Sequence, residues 1–130
     1  MAGNGYTRAR LTEVKDSAPG FGFGDHQEAH FATKELDAVD TGVSYHRVKP
    51  GMRQGFAHKH DAAEEVYVVI GGAGRMKLDD EIIDLAPLDA IRVAPATIRQ
   101  FEGGPAGLEL LAFGPHREGD GEIFPNWWTD

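Results

Sequence analysis

The stretch PGMRQGFAHKHDAAEEVYVVIGG, residues 50–72, joins a turn, two closely spaced histidines and an apolar run. His58 and His60 are one residue apart, and in an extended chain the period of two places both imidazoles on one face. All five residues of the run 66–70 are apolar, so both faces of the strand are apolar. This predicts a strand that is covered on both sides. Glu65 opens that strand, so its carboxylate joins the two histidines if the strands are neighbours.

Two imidazoles and a carboxylate form a recognisable ligand set. They suit a divalent Mn, Fe, Ni, Co or Zn ion and leave positions open for water or substrate. The chain has no cysteine, which excludes disulfide scaffolds and thiolate metal sites, so any ion must be held by His, Asp or Glu. The alternative is that His58 and His60 lie on a solvent face and that Glu65 forms an ordinary acidic pair with Glu64.

Segments rich in Val, Ile, Tyr and Phe recur at short intervals on both sides of this stretch, separated by some of the 17 glycines and 7 prolines. Such spacing predicts an antiparallel sandwich or barrel. Gly71-Gly72 and Gly103-Gly104-Pro105 are expected to break strands, and Asp79-Asp80 to turn a hairpin. The predicted strands are 41–49, 54–60, 65–70, 74–78, 81–85, 90–94, 98–102 and 108–113.

The first 40 residues show less regular patterning. Either 8–14 or 29–33 is expected to form an outer strand, and the glycine-rich segment 20–24 to form a mobile loop.

The stretch 50–72 resembles the first motif of the cupin superfamily: Gly, about five residues, HxH, three or four residues, Glu, six residues and Gly. Gly51, His58, His60, Glu65 and Gly72 match it, except that six residues separate Gly51 from His58. The resemblance implies a double-stranded β-helix, or jelly-roll, barrel of antiparallel strands. It also implies that His58, His60 and Glu65 point inward and bind a divalent metal ion.

The second cupin motif is matched only in outline, and the resemblance covers about 43–113. Leu88 replaces its glycine, Ala94-Pro95-Ala96 replaces PxG, and Gly103 replaces its asparagine. The division expected from this is an N-terminal extension with outer strands at 1–40, the barrel at 41–114, and a tail at 115–130 that packs on the barrel or on a partner subunit.

Arg99 stands where the family has its fourth histidine ligand, and an arginine cannot supply a lone pair to a metal. Three interpretations are open. Arg99 binds an anionic substrate group beside the ion; or it pairs with Glu65 in a metal-free barrel; or a shift of one residue in register turns Arg99 outward and places Gln100 inside.

Phe56, Tyr67, Val69 and Phe101 share strand parity with the candidate ligands, so they are expected to line one cavity. The predicted ligand-binding residues are Arg99, Tyr67, Phe56, Phe101 and Gln100. The alternative is that the aromatic side chains only fill the barrel.

The remaining histidines and the tryptophan pair carry weaker expectations. His26 and His30 are expected to be exposed polar residues, and His116 to be solvated. His46 alternates with Tyr45, which is assigned to the barrel interior, so His46 should point outward or toward a partner subunit. Trp127-Trp128 should dock on the barrel mouth, on the outer face of a sheet or on a neighbouring subunit.

The formal charge of −8 disfavours nucleic acid and anionic lipid partners, and the apolar run 66–70 is too short to cross a membrane. A cytoplasmic protein is expected, and the resemblance implies a homodimer paired through sheet edges. It also implies dioxygenase-like or isomerase-like action on a small organic molecule. If Arg99 binds that molecule, the molecule carries an anionic group. The alternative is a non-catalytic binding or sensing barrel, metal-free with Arg99 in place of the fourth ligand.

Overall fold

The computed structural model describes residues 5–115 and 117–130, and nearly all of their regular structure is antiparallel β. Three-residue 3-10 turns at Leu11–Glu13 and Pro19–Phe21 are the helical segments of this described part, and no helix in it is long and apolar enough to cross a membrane. The strands are β1 Gln27–Phe31, β2 Val43–Val48, β3 Ala57–His60, β4 Glu65–Leu78, β5 Glu81–Leu85, β6 Ala90–Val93, β7 Arg99–Phe113 and β8 Gly121–Phe124. The all-β, antiparallel prediction is confirmed.

One curled sheet holds all the strands. The order β1-β2-β7-β3-β8 runs across it, and β4 pairs with β5, β6 and β7. The long strands β4 and β7 pair along most of their length, which joins the two halves of the sheet. Its inner face carries a core of Val48, Tyr67, Val69, Met76, Leu85, Val93, Phe101, Leu108, Leu110 and Ala112.

The glycine clusters expected to separate strands lie inside strands instead, so that expectation was wrong. Gly72 has φ +68°, and a Cβ there would lie 2.1 Å from the carbonyl oxygen of Gly107. A Cβ on Gly74 would lie 2.1 Å from the carbonyl oxygen of Glu102. These glycines therefore allow β4 and β7 to approach closely at bulges, where the pairing register shifts, without reversing the chain. The hairpin at Asp79-Asp80 forms as predicted, with Leu78 paired to Glu81.

Of the two N-terminal candidates, 29–33 overlaps an outer strand, β1, whereas 8–14 contains a 3-10 turn. The segment 20–24 is not a detached loop, because Phe21 and Phe23 pack against Phe56 with ring centroids 6.3 and 5.6 Å away. The C-terminal residues add β8 beside β3. The prediction for His116 lies outside the described residues.

Candidate metal centre and adjoining cavity

His58, His60 and Glu65 converge inside the barrel, where the inward face of β3 meets the start of β4. One donor atom from each lies within 4.8 Å of the others. Oε1 of Glu65 is 3.4 Å from Nε2 of His58 and 3.2 Å from Nε2 of His60. The sequence motif therefore forms one cluster in the folded chain.

The spacing of these donors fits a shared cation. Donors about 2.1 Å from one ion, at octahedral or tetrahedral angles, lie roughly 3.0–3.4 Å from each other. Both ring nitrogens of His60 are buried and lack a hydrogen bond of good geometry among the described residues. Two imidazoles and a carboxylate, with a buried nitrogen left unsatisfied, are donors that suit a divalent ion.

The protonation states also fit a cation. Burial lowers the pKa of His58, and the contact with Glu65 offsets this only in part, so the ring is neutral near pH 7. Burial acts to raise the pKa of Glu65, but its contacts with His58, His60 and Tyr67 outweigh burial and hold the pKa well below its usual value. The cluster therefore presents a carboxylate and a neutral imidazole.

Asp120, just before β8, lies behind His60. Its carboxylate accepts hydrogen bonds from the backbone N–H groups of Ala62 at 2.8 Å and Ala63 at 3.0 Å. Oδ2 also lies 3.2 Å from Nδ1 of His60. Burial acts to raise the pKa of Asp120, but the backbone bonds outweigh it and lower the pKa, so the side chain is an anion. A carboxylate in this position favours the proton on Nδ1 and leaves Nε2 free for a metal.

Arg99 is completely buried beneath the cluster, with an exposed fraction of 0%. It donates from Nη2 to Glu65 at 2.7 Å, from Nε to the Tyr67 hydroxyl at 3.2 Å and from Nη1 to the carbonyl of Thr97 at 2.7 Å. The register that would turn Arg99 outward is therefore wrong. Gln100 points to the other face of β7, where its amide donates to the carbonyl of Gln54 at 2.6 Å.

A cavity of about 250 Å³ adjoins the cluster. Phe56, Tyr67 and Phe101 line it, whereas Val69 lies in the core and the described lining does not include Arg99. Aromatic and aliphatic side chains dominate its wall. Phe21, Phe31, Ala29, Leu110, Ala112 and Ile123 are its other apolar members.

His46 borders the same cavity, contrary to the expectation that it points outward. Its Nε2 lies 2.7 Å from the Ser44 hydroxyl, and its ring meets Phe31 edge to face at 5.5 Å. Tyr45 is buried on the opposite face, where it stacks on His30 at 5.5 Å. The expectation failed because N-terminal residues cover the outer face of β2, so a buried tyrosine there does not mark the barrel interior.

His30 is also buried rather than exposed. Its Nδ1 lies 2.6 Å from the carbonyl of Val14, and its Nε2 lies 3.0 Å from Glu28. His26 instead borders a second cavity, of about 420 Å³, together with Gln100.

The tryptophan pair docks on the outer face of the sheet. Trp128 is 5% exposed, and the guanidinium of Arg53 lies 4.2 Å from its ring centroid. Arg75 of β4 lies 5.3 Å from the same ring, on the side opposite the core residue Met76. Trp127 and Trp128 also line the second cavity.

No protein-family model matches the sequence. An uncharacterised protein of Methanocaldococcus jannaschii is 35% identical over 69 residues, which are 51% of this chain and 55% of that protein. The match thus spans about half the length of this curated relative.

Solved structures resemble the whole barrel. A cupin protein from Bacteroides fragilis has a TM-score of 0.70 at 19% identity over 98% of each chain. The polyketide cyclase RemF from Streptomyces resistomycificus has a TM-score of 0.73 at 18% identity over 95% of this chain and 87% of its own. A sugar phosphate isomerase of a cupin superfamily from Silicibacter pomeroyi has a TM-score of 0.70 at 14% identity over 92% and 93%. The chain therefore has the cupin fold, an antiparallel jelly-roll barrel.

Proposed function

We propose that His58, His60 and Glu65 bind a divalent metal ion and that the protein acts on a small organic molecule in the adjoining cavity. The observation that carries this proposal is the convergence of the three donors, with Glu65 3.2 to 3.4 Å from the histidine nitrogens, at the wall of an apolar cavity. Bound there, the ion supplies a Lewis acid with positions left open to substrate oxygen atoms.

The surrounding residues hold the donors in place. Arg99 and Tyr67 donate hydrogen bonds to Oε1 of Glu65 from beneath. Burial raises the pKa of Tyr67, so its phenol stays protonated and remains a donor. Asp120 restrains His60 from behind. The cluster is thus preorganised by its contacts with Arg99, Tyr67 and Asp120.

The structural neighbours give some support to a class of reaction but none to a particular substrate. Proteins of this fold named above include a polyketide cyclase and a sugar phosphate isomerase, which supports isomerase-like chemistry on a small molecule. The dioxygenase-like alternative rests on the motif resemblance alone. Arg99 lies behind Glu65, so an anionic substrate group would meet the ion rather than the guanidinium.

A metal-free binding or sensing barrel is the second candidate. The buried ion pair between Arg99 and Glu65, at 2.7 Å, favours it because the guanidinium already compensates the carboxylate charge. In that case the cavity would hold a ligand without turning it over.

Elemental analysis of tag-free protein separates these candidates. We expect one divalent ion per chain in wild type, loss of that ion in His58→Ala and His60→Ala, and retention in His26→Ala, a matched exchange outside the cluster. Substoichiometric metal in wild type that the first two variants leave unchanged would reject the metal centre and favour the metal-free barrel.

The homodimer is likewise proposed. Its support is the edge position of β8, where Ile123 is 58% exposed. Sedimentation equilibrium tests it, and a single species with the mass of one chain would contradict it.

A further inference from the structure

Ser44 and His46 form a polar pair on an otherwise mainly apolar cavity wall. Ser44 pairs with Ala112 of β7, and Ala112 pairs with Tyr67 of β4. Two steps between strands, each about 4.8 Å, therefore separate the backbone of Ser44 from that of Tyr67 by roughly 10 Å. Glu65 lies two residues before Tyr67, so its side chain is on the same face of β4. The polar pair and the cluster of His58, His60 and Glu65 therefore lie on either side of the small side chain of Ala112.

The polar pair has an unused hydrogen-bonding function in either tautomer of the imidazole. If Ser44 donates to Nε2 of His46, the ring proton lies on Nδ1, which is buried and has no partner among the described residues. If Nε2 donates to Ser44, the hydroxyl hydrogen needs another acceptor and Nδ1 still lacks a donor. Because Nδ1 has almost no accessible surface, a ligand reaches the pair through the Ser44 hydroxyl. This hydroxyl can accept from a ligand hydroxyl while it donates to Nε2, or donate to a ligand oxygen while it accepts from Nε2.

The space between the polar pair and the cluster has the size and lining of an aromatic ring site. A cavity of about 150 Å³ is enough for benzene, so about 250 Å³ accommodates a ring with substituents. Phe56, Phe101 and Leu110 supply apolar walls, and aromatic rings meet such side chains favourably edge to face or offset.

We propose that the cavity binds a single-ring aromatic compound that has a metal-binding oxygen at one end and a hydroxyl or carbonyl group at the other, hydrogen-bonded to the Ser44 hydroxyl, which His46 orients. The metal-binding end of this assignment rests on the proposed function, whereas the polar end rests on the pair alone. Burial lowers the pKa of His46 to about 4, against the opposing effect of Glu65, so the ring is neutral near pH 7 and suits an uncharged group.

Benzoate and 4-hydroxybenzoate are matched probes for this assignment, since they differ by one hydroxyl at the end of the ring remote from the carboxylate. Isothermal titration of cobalt-loaded protein and of protein as isolated should show 4-hydroxybenzoate binding about fivefold to tenfold more tightly, the effect of one net hydrogen bond. We expect Ser44→Ala to abolish this preference. His46→Leu, which leaves the Ser44 hydroxyl without the partner that orients it, should reduce the preference. His26→Leu, the matched exchange outside the cavity, should leave the preference unchanged.

The metal content of each sample separates failure of this inference from failure of the metal centre. Wild type that binds both probes equally, or binds neither, overturns the aromatic site even when metal is present. A preserved preference in protein that takes up no cobalt rejects the metal centre and supports the polar pair. An unchanged preference in Ser44→Ala overturns the assignment, and should that variant fail to fold, Ser44→Gly carries the same test.

Discussion

The buried guanidinium of Arg99 donates from Nη2 to Oε1 of Glu65 at 2.7 Å, the same oxygen that lies 3.4 Å from Nε2 of His58 and 3.2 Å from Nε2 of His60. A guanidinium next to a divalent ion is unfavourable unless an anion lies between them. Glu65 is that anion, since the histidine nitrogens approach the same carboxylate. If the proposed ion binds, Arg99 stands where the cupin motif has its fourth ligand, and it holds the carboxylate of the third ligand, Glu65, in place.

Removal of Arg99 should destabilise the fold strongly. In Arg99→Met the buried carboxylate of Glu65 loses its partner, and breaking a buried pair in this way costs about 3–5 kcal/mol. Urea denaturation monitored by circular dichroism measures the loss. The double variant Arg99→Met/Glu65→Gln should recover part of it, because no unpaired charge remains.

Arg92 offers the matched control, because it pairs with Glu64 at 3.2 Å with both side chains more than half exposed. Arg92→Met should cost about 1 kcal/mol or less. Equal losses in the two arginine variants would show that the pair of Arg99 and Glu65 is not a buried support of the barrel.

Asp120 should tune metal affinity without being a ligand. Asp120→Asn removes the charge beside Nδ1 of His60, and loss of such a carboxylate weakens metal binding about 10-fold to 100-fold. Competition with a chromophoric chelator measures the affinity for zinc or cobalt. The control is Glu122→Gln. Glu122 pairs with Lys59, the neighbour of His60, so this variant should leave the metal affinity unchanged. Equal affinities of the Asp120 variant and wild type would contradict a positioning role.

The pH dependence of stability should report the burial of His46. Its pKa falls from the ordinary 6.5 to about 4 on folding, so between these pH values the unfolded chain binds more protons than the folded one. The contribution of His46 to the free energy of unfolding therefore rises with pH across this window, by at most about 3 kcal/mol.

The measurement is the difference in unfolding free energy between wild type and His46→Leu from pH 4 to 7. This difference should shift in favour of wild type as pH rises. His30 acts with the opposite sign, because bonds to Val14 and Glu28 outweigh its burial and raise its pKa, but it is present in both proteins and cancels. Parallel stability curves would mean that His46 is not buried as a neutral ring.

The cluster itself could be predicted from sequence because its three members lie within eight residues and their spacing encodes a shared strand face. The position of the Ser44–His46 pair in the cavity and the contact of Asp120 with His60 could not be predicted in this way. The face of β2 that points inward depends on which side the N-terminal residues cover, and periodicity alone is symmetric between the two faces. Asp120 is 60 residues from its partner, and its local sequence resembles any polar turn.

The glycines within β4 and β7 show the same limit. Gly-Gly and Gly-Pro sequences are turn signals by local chemistry, yet whether they reverse the chain or allow two backbones to touch depends on the partner strand. The hairpin at Asp79-Asp80 was predictable because both of its strands are adjacent in sequence. Contacts that close the barrel join distant segments, and no local pattern reports them.

Trp128 should contribute far more to stability than its neighbour Trp127. Trp128 is 5% exposed and lies under the guanidinium of Arg53, which also donates to its backbone carbonyl at 2.7 Å. Replacing a buried tryptophan with alanine costs about 3–5 kcal/mol, so Trp128→Ala should lose that amount in urea denaturation. Trp127 has Lys77 4.7 Å from its ring centroid, a contact worth about 0.5–1 kcal/mol at an exposed site. Similar losses in the two alanine variants would contradict the docking of Trp128 on the outer face of the sheet.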